Sequence, residues 1–499
     1  MKTTEYTEKY AFLRPAVAMS LLAFIMLIAC VPGKEQIPEP INNRQIWVDS
    51  VYATMNLEEK VGQLFMAATY SNREPRHTDS IQKLVEEHHI GGVIFFQGGP
   101  VRQVNMINRF QEVAKIPLMV GIDAEWGISM RLDSTPRYPY NMTLGAIQDN
   151  DLIEQIGKQI GLQCNLVGVH NNYAPVVDIN TNPANPVIGT RSFGEDRDNV
   201  TAKALAFMKG MQSMGILACA KHFPGHGDTA TDSHKTLPTV DFTAERIDSV
   251  ELHPYKELIT NGLGSNMVAH LEVPELEEKP GLPSSLSYAI VTDLLKDSMQ
   301  FEGLVMTDAL NMKGVSTFSD SGSVDLTAFL AGHDVLLFSE NVPVGIASIV
   351  NAFNEGRFTE ERLAHSVKKI LAAKYAVGLQ ELKPLPTENL IAELNTEING
   401  ELHRKAAEQS VTVIKNEADL VPLNPNTKVA YLSLGDGNGE PYRKALSAAM
   451  NIEFSPDYND PNVEVVIIGY HRKNYRRSYR ISTSEKETIE RIAGKKKVI

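Results

Sequence analysis

Short apolar runs recur along this chain, and stretches of helical period fill the gaps between them. The runs are Val61–Ala68, Gly92–Phe96, Leu118–Ile122, Leu166–Asn171, Leu217–Ala220, Met267–His270, Leu304–Met306 and Val335–Phe338. Helical patterns separate them, among them Asp151–Gln163, Val200–Met214, Ala244–Asn261 and Tyr288–Ser298. Eight strand-then-helix units in about 300 residues predict a (β/α)8 barrel, here spanning 45–380. An open doubly wound sheet would alternate in the same way, but no Gly-rich dinucleotide or phosphate-loop fingerprint follows these strands. Pro384 and Pro386, amid Glu- and Asn-rich sequence, mark a linker over 381–400. A second α/β pattern occupies 401–499, with a helix at Glu401–Ser410 and strands at Val411–Lys415, Val429–Ser433 and Val463–Gly469. The chain closes on Lys497-Val498-Ile499, a lysine-rich turn entering β-branched residues, which reads as the opening of a strand. The expectation is a partial α/β/α sandwich domain.

A barrel carries its chemistry on the loops after its strands. Polar residues fall there repeatedly: Asp123 and Glu125 after the third strand, Asp178 and Arg191 after the fourth, Lys221 and His222 after the fifth, His270 after the sixth and Asp308 after the seventh. Five consecutive loops converging on one face predict a site.

The first thirty residues are of another kind. Lys2, Lys9 and Arg14 precede an apolar run from Ala16 to Ala29 that meets Cys30. The run is short for a membrane span of roughly 20 residues and has the three-part form of an export signal. Leu27-Ile28-Ala29-Cys30 resembles a bacterial lipobox, with Cys30 as the acylated first residue of the mature protein. An uncleaved anchor helix is the alternative. Either places the catalytic part outside the cytoplasm, on the cell envelope, with residues 31–44 as a tether. Cys164 and Cys219 lie in apolar runs and are expected to be buried thiols rather than a disulfide framework.

The net charge of −13 opposes nucleic-acid binding, which needs clustered cations, and leaves a neutral sugar admissible. The basic run His471–Arg480, with interleaved tyrosines, is the local exception. Between a strand and the helix-like Ser484–Ile492 it reads as a solvated loop, able to touch anionic peptide stems.

Two stretches carry candidate chemistry. Asp308 directly follows an apolar strand, where it is either a helix N-cap or a functional carboxylate. The stretch Lys221–His234 packs three histidines and several ionisable partners into one loop. Zinc is a rival reading, but the loop lacks the helical H-E-x-x-H spacing, and Pro224 and Gly225 favour extended chain. No metal and no cofactor are expected. In extended chain, residues two apart face the same side, so Asp232 can hold the imidazole of His234 as a proton shuttle.

These blocks resemble glycoside hydrolase family 3, in its bacterial β-N-acetylglucosaminidase branch. The resemblance rests on Gly121-Ile122-Asp123-Ala124-Glu125-Trp126-Gly127 with Arg131, on Arg191–Asp196, on the Lys221–His234 loop and on Thr307-Asp308-Ala309. Residues 406–423 resemble the start of that family's C-terminal domain. The resemblance implies a retaining glycosidase with Asp308 as nucleophile, His234 as general acid/base and Asp232 as its partner. Asp123, Arg131, Arg191, Lys221 and His222 would line the sugar subsite. The implied substrate is a terminal β-N-acetylglucosaminide or muropeptide. One departure stands out: Trp126 occupies a position where the peptidoglycan-recycling members carry glycine, as a packed loop anchor or an aromatic platform under a sugar. Rival readings are a β-glucosidase or β-xylosidase of the same family, a lipoprotein that binds glycan without cleaving it, and transfer to phosphate instead of water.

Overall fold

The computed structural model describes residues 42–229, 231–232, 236–424, 426–472 and 481–499. The expected export signal, Cys30 and nearly all of the tether lie outside them. Among the described residues no helix is long and apolar enough to cross a membrane. The chain divides between Val411 and Thr412 into two compact units.

The first unit is the barrel. Its strands are β1 (Phe65–Thr69), β2 (Gly92–Phe95), β3 (Met119–Ile122), β4 (Asn171–Asn172), β5 (Leu217–Phe223), β6 (Ser265–Val268), β7 (Leu304–Thr307) and β8 (Leu336–Leu337). They run parallel in the order β7-β6-β5-β4-β3-β2-β1-β8. The ring closes where Met306 bridges Val335 and the Leu337 amide donates to Thr307 Oγ1 at 2.9 Å. Side chains fill the interior and helices cover the outside, so β2, β3, β6 and β7 are buried at every position. Continuous apolar runs are the signature of strands covered on both faces.

Two strands depart from the pattern. Val61 belongs to the helix Leu57–Gly62, fixed by a reciprocal cap in which the Glu59 amide donates to Asn56 Oδ1 (2.9 Å) and the Asn56 amide to Glu59 Oε2 (3.0 Å). The cap satisfies two orphan amides and overrides strand preference, so β1 begins at Phe65. Leu166 ends the helix Asn150–Leu166, which leaves β4 only two residues long. Both are buried asparagines that bond across the interior: Asn172 Oδ1 accepts the Ala124 amide (2.9 Å), and Asn171 Oδ1 accepts Ser265 Oγ (3.1 Å).

The expected linker and domain start also move. Residues 381–400 contain the helix Leu390–Leu394 and most of the first turn of Glu397–Gln409. Leu390, Leu394, Leu402 and Ala406 join the barrel's apolar core, and Asn399 Oδ1 accepts from Tyr138 Oη (2.6 Å) and Gln163 Nε2 (2.8 Å). The helix expected to open the second domain is therefore docked on the first unit. Val411–Lys415 forms no strand; Val411, Val413 and Ile414 are exposed, Ile414 by 95%. Strand preference is realised only where a neighbouring strand receives it.

The second unit holds β9 (Val429–Gly435), β10 (Val465–His471) and β11 (Lys497–Val498), parallel in the order β11-β10-β9. Val465 and Ile467 pack with Val429 and Phe454, whereas Val466 packs with Ala430, Val463 and Ile492. The period of two loads both faces, as an α/β/α layer requires.

One buried carboxyl gives the barrel a pH signature. Asp325, on the helix Ser321–Ala331, accepts from Ser339 Oγ at 2.7 Å. Burial, with Glu340 nearby, pushes its pKa up to about 7. The folded state therefore retains a proton that the unfolded chain releases near pH 4, and stability falls as pH rises from 4 to 7. Asp325→Asn, which mimics the protonated form, should match the wild type in urea denaturation at pH 4. It should exceed the wild type by about 4 kcal/mol at pH 7.5. A difference independent of pH would show that the carboxyl is ionised throughout.

Candidate active site

Asp123 is the first residue beyond β3, and Glu125 lies two further on. Asp123 Oδ1 receives Lys221 Nζ at 2.7 Å, and its Oδ2 receives Arg131 Nη2 at 2.5 Å. Lys221, buried within β5, also reaches Glu125 Oε1 at 2.9 Å. Arg191, from the loop after β4, grips Glu125 with both prongs, Nη2 to Oε1 at 2.7 Å and Nε to Oε2 at 3.0 Å. The result is an alternating cage, Arg131–Asp123–Lys221–Glu125–Arg191. Burial alone would raise both carboxyl pKa values. The fields of Lys221 and Arg131 on Asp123, and of Arg191 and Lys221 on Glu125, outweigh it and hold both low. The same carboxylates hold Lys221 above its usual value despite burial. All five groups are charged, and each is fixed by its neighbours.

His222 extends the cage. Its Nδ1 lies 2.7 Å from Asp178 Oδ2, and its Nε2 lies 3.1 Å from Arg191 Nη2. Arginine only donates, so Nε2 accepts and Nδ1–H donates to Asp178. Asp178 also accepts the backbone N–H of His226 at 2.7 Å. One buried carboxylate thus orients the ring and pins the loop after β5.

Asp308 is the first residue beyond β7. Its amide donates to the Val268 carbonyl (2.9 Å), and its Oδ1 accepts the Ala309 amide (2.7 Å). His270, after β6, donates from Nε2 to the Ala309 carbonyl at 3.0 Å, while its Nδ1 meets Ser285 Oγ at 2.7 Å. The carboxylate loop is thus tied to the C-terminal end of β6 and the residues that follow it. Burial would raise the Asp308 pKa, but the rings of His270 and His222, the Ala309 amide and Lys221 together lower it. Asp308 is ionised at neutral pH, as attack on carbon demands.

The structure joins Asp123, Arg131, Arg191, Lys221 and His222 in one hydrogen-bonded network and puts Asp308 on the same rim. Asp232 is half-buried, and its carbonyl accepts the Thr236 amide at 3.0 Å. His234 lies outside the described residues. Sequence reading placed Glu125, Asp178 and His270 on the face of the predicted site but assigned them no individual role. The available signal was their place after strands, since their partners come from distant loops. Trp126 is half-buried and meets Tyr140 edge-on at 4.8 Å between centroids. Cys164 and Cys219 are buried, as expected, and burial pushes both thiols up to about 12. At the start of the basic run, His471 Nε2 lies 2.5 Å from Tyr431 Oη, and residues 473–480 lie outside the described residues.

Residues 56–373 match the glycosyl hydrolase family 3 N terminal domain. The β-hexosaminidase A of Pseudoalteromonas piscicida is 30% identical over 71% of this chain, which spans 64% of that protein's length. The β-N-acetylglucosaminidase/β-glucosidase of Cellulomonas fimi is 29% identical over 76% of this chain and 68% of its own. Among solved structures, a glycoside hydrolase family 3 β-N-acetylglucosaminidase from Paenibacillus sp. str. FPU-7 superposes with a TM-score of 0.69 at 30% identity. That match covers 89% of this chain and 84% of that one.

Proposed function

The chain belongs to glycosyl hydrolase family 3, and on that footing we propose an exo-acting, retaining β-N-acetylhexosaminidase that releases terminal N-acetylglucosamine from cell-wall fragments or related glycans. The observation that carries this reading is the charged cage beside an ionised carboxylate on one rim of the barrel. A terminal sugar is a neutral polyol, and fixed charged hydrogen-bonding groups orient it without rearranging during the reaction.

In the first step an Asp308 oxygen bonds to the anomeric carbon, and the bond from that carbon to the leaving oxygen breaks. The leaving oxygen takes a proton from His234. In the second step water attacks the same carbon, gives a proton back to His234 and releases Asp308. Two inversions leave the β-configuration intact. Asp232 orients the imidazole and stabilises its charged form. A histidine acid/base spares the site a second free carboxylate near the leaving group. Acylation at Cys30 would hold the enzyme at the cell envelope; that part of the reading rests on the lipobox-like tetrapeptide.

Turnover of aryl β-glycosides tests the assignment. The N-acetylglucosaminide should be cleaved at least about 100-fold more efficiently than the glucoside, because specificity lies with the 2-acetamido group. Equal turnover would move the chain to the glucosidase branch. A sugar 1-phosphate formed when phosphate is added would make it a transferase.

A further inference from the structure

The loop after β4 supplies Arg191, and the loop after β5 leads to the acid/base. Three side chains of the first loop bond the backbone of the second. Asp178 accepts the His226 amide at 2.7 Å. Asn185 Nδ2 donates to the carbonyls of His226 (2.8 Å) and Gly227 (3.1 Å). Asn182 Nδ2 donates to the Asp228 carbonyl at 3.3 Å. Successive peptide groups of one loop are thus matched by the other. The two backbones also touch, since a Cβ at Gly227 would lie 1.9 Å from the Ile179 carbonyl oxygen. From there the chain runs on to Asp232 and His234.

Asn185 is the hub of this junction. It is buried, and its other end faces its own loop: Oδ1 accepts the amides of Val187 and Ile188, both at 2.9 Å. The Ile188 carbonyl accepts the Arg191 amide at 2.8 Å, and the Val187 carbonyl accepts from Arg191 Nη1 at 3.4 Å. One side chain therefore bonds both the segment that carries the cage arginine and the segment that leads to the acid/base. Only an amide offers a donor and an acceptor at this reach, and a buried hub with both ends satisfied is rigid.

We propose that Asn185 is a positioning residue that sets the general acid/base against the sugar cage. It touches neither the sugar nor the transferred proton. It fixes the start of the acid/base loop in register with Arg191, so that the imidazole meets the leaving oxygen of a sugar the cage already holds. Proton transfer needs its heavy atoms within hydrogen-bond reach, which makes small misplacements costly. The catalytic effect rests on the glycosidase reading; the coupling of the two loops rests on the hydrogen bonds alone.

Asn185→Asp separates the two ends. The carboxylate still accepts the Val187 and Ile188 amides but sets an oxygen against the His226 and Gly227 carbonyls. With a disaccharide, whose leaving group needs a proton, kcat/KM should fall about tenfold. With a dinitrophenyl glycoside kcat/KM, which reads the first step, should stay within about twofold of the wild type. Inhibition by N-acetylglucosamine, which reads the cage, should be equally spared. Asn182→Asp keeps the Ala184 amide on Oδ1 (2.9 Å) and loses only the bond to Asp228. It should show the same selectivity at about threefold, and it decides the matter if Asn185→Asp does not fold. Equal losses for good and poor leaving groups, or no loss with either, overturn the positioning role. If the wild type cleaves no N-acetylglucosaminide, the catalytic reading has failed, and amide hydrogen exchange of the full chain decides the coupling alone. Asn185→Asp should speed exchange at 226–229 and leave 187–192 unchanged. Unchanged exchange at 226–229, or equal acceleration in both segments, rejects it.

Discussion

Asp308→Ala should abolish turnover of every glycoside, whatever its leaving group. The carboxylate makes the bond to the anomeric carbon, so a better leaving group cannot replace it, and kcat/KM should fall by at least about 10⁴-fold. The fold should survive. Asp308 bonds locally to the Ala309 amide, while the loop stays tied by the Asp308 amide to Val268 and by His270 to the Ala309 carbonyl. Azide can enter the vacated space, and with a dinitrophenyl glycoside it should give the α-azide, the product of a single inversion. A variant that still cleaves the dinitrophenyl substrate at a tenth of the wild-type rate, or yields the β-azide, would remove Asp308 from the nucleophile's role.

His234→Ala should separate substrates that Asp308→Ala treats alike. Protonating the departing oxygen matters only for a poor leaving group, so cleavage of a disaccharide should fall about 10²–10⁴-fold. The first step with a dinitrophenyl glycoside should be largely spared. The second step should then be slow for want of a base, and a covalent intermediate should accumulate with a burst. Azide, which needs no deprotonation, should restore turnover and give the β-azide after two inversions. Equal losses for good and poor leaving groups would show that His234 does not handle the proton.

The sequence made the barrel legible because strands covered on both faces must be apolar throughout, and Gly92–Phe96, Leu118–Ile122 and Leu304–Met306 are so. It misplaced β1 because Val61 carries no mark of the cap that Asn56 and Glu59 form. It overextended β4 because a strand of two buried asparagines has no apolar signature. The pattern Ala244–Asn261 read as one helix. The backbone instead passes through a π-helical stretch at Ile247–Glu251 and restarts at His253–Thr260, where Pro254 supplies no amide. In the site, single residues after strands were visible, but their pairing was not. Lys221 meets Asp123 and Glu125 across about a hundred positions of sequence, and no local period encodes such a contact. The exposed Val411–Lys415 segment shows the converse error, in which propensity was clear and the pairing that realises it was not.

The cage has a consequence for how substrate arrives. Arg131, Lys221 and Arg191 face Asp123, Glu125, Asp178 and Asp308, so three positive charges lie among four negative ones within one rim and all but one cancel. A set that nearly cancels locally projects little field into solvent, and buried pairs are only weakly screened by added ions. The neutral end of a glycan is therefore not drawn in from a distance. Its capture depends on collision and fit, and the cage adds almost nothing to any ionic-strength dependence of the association rate.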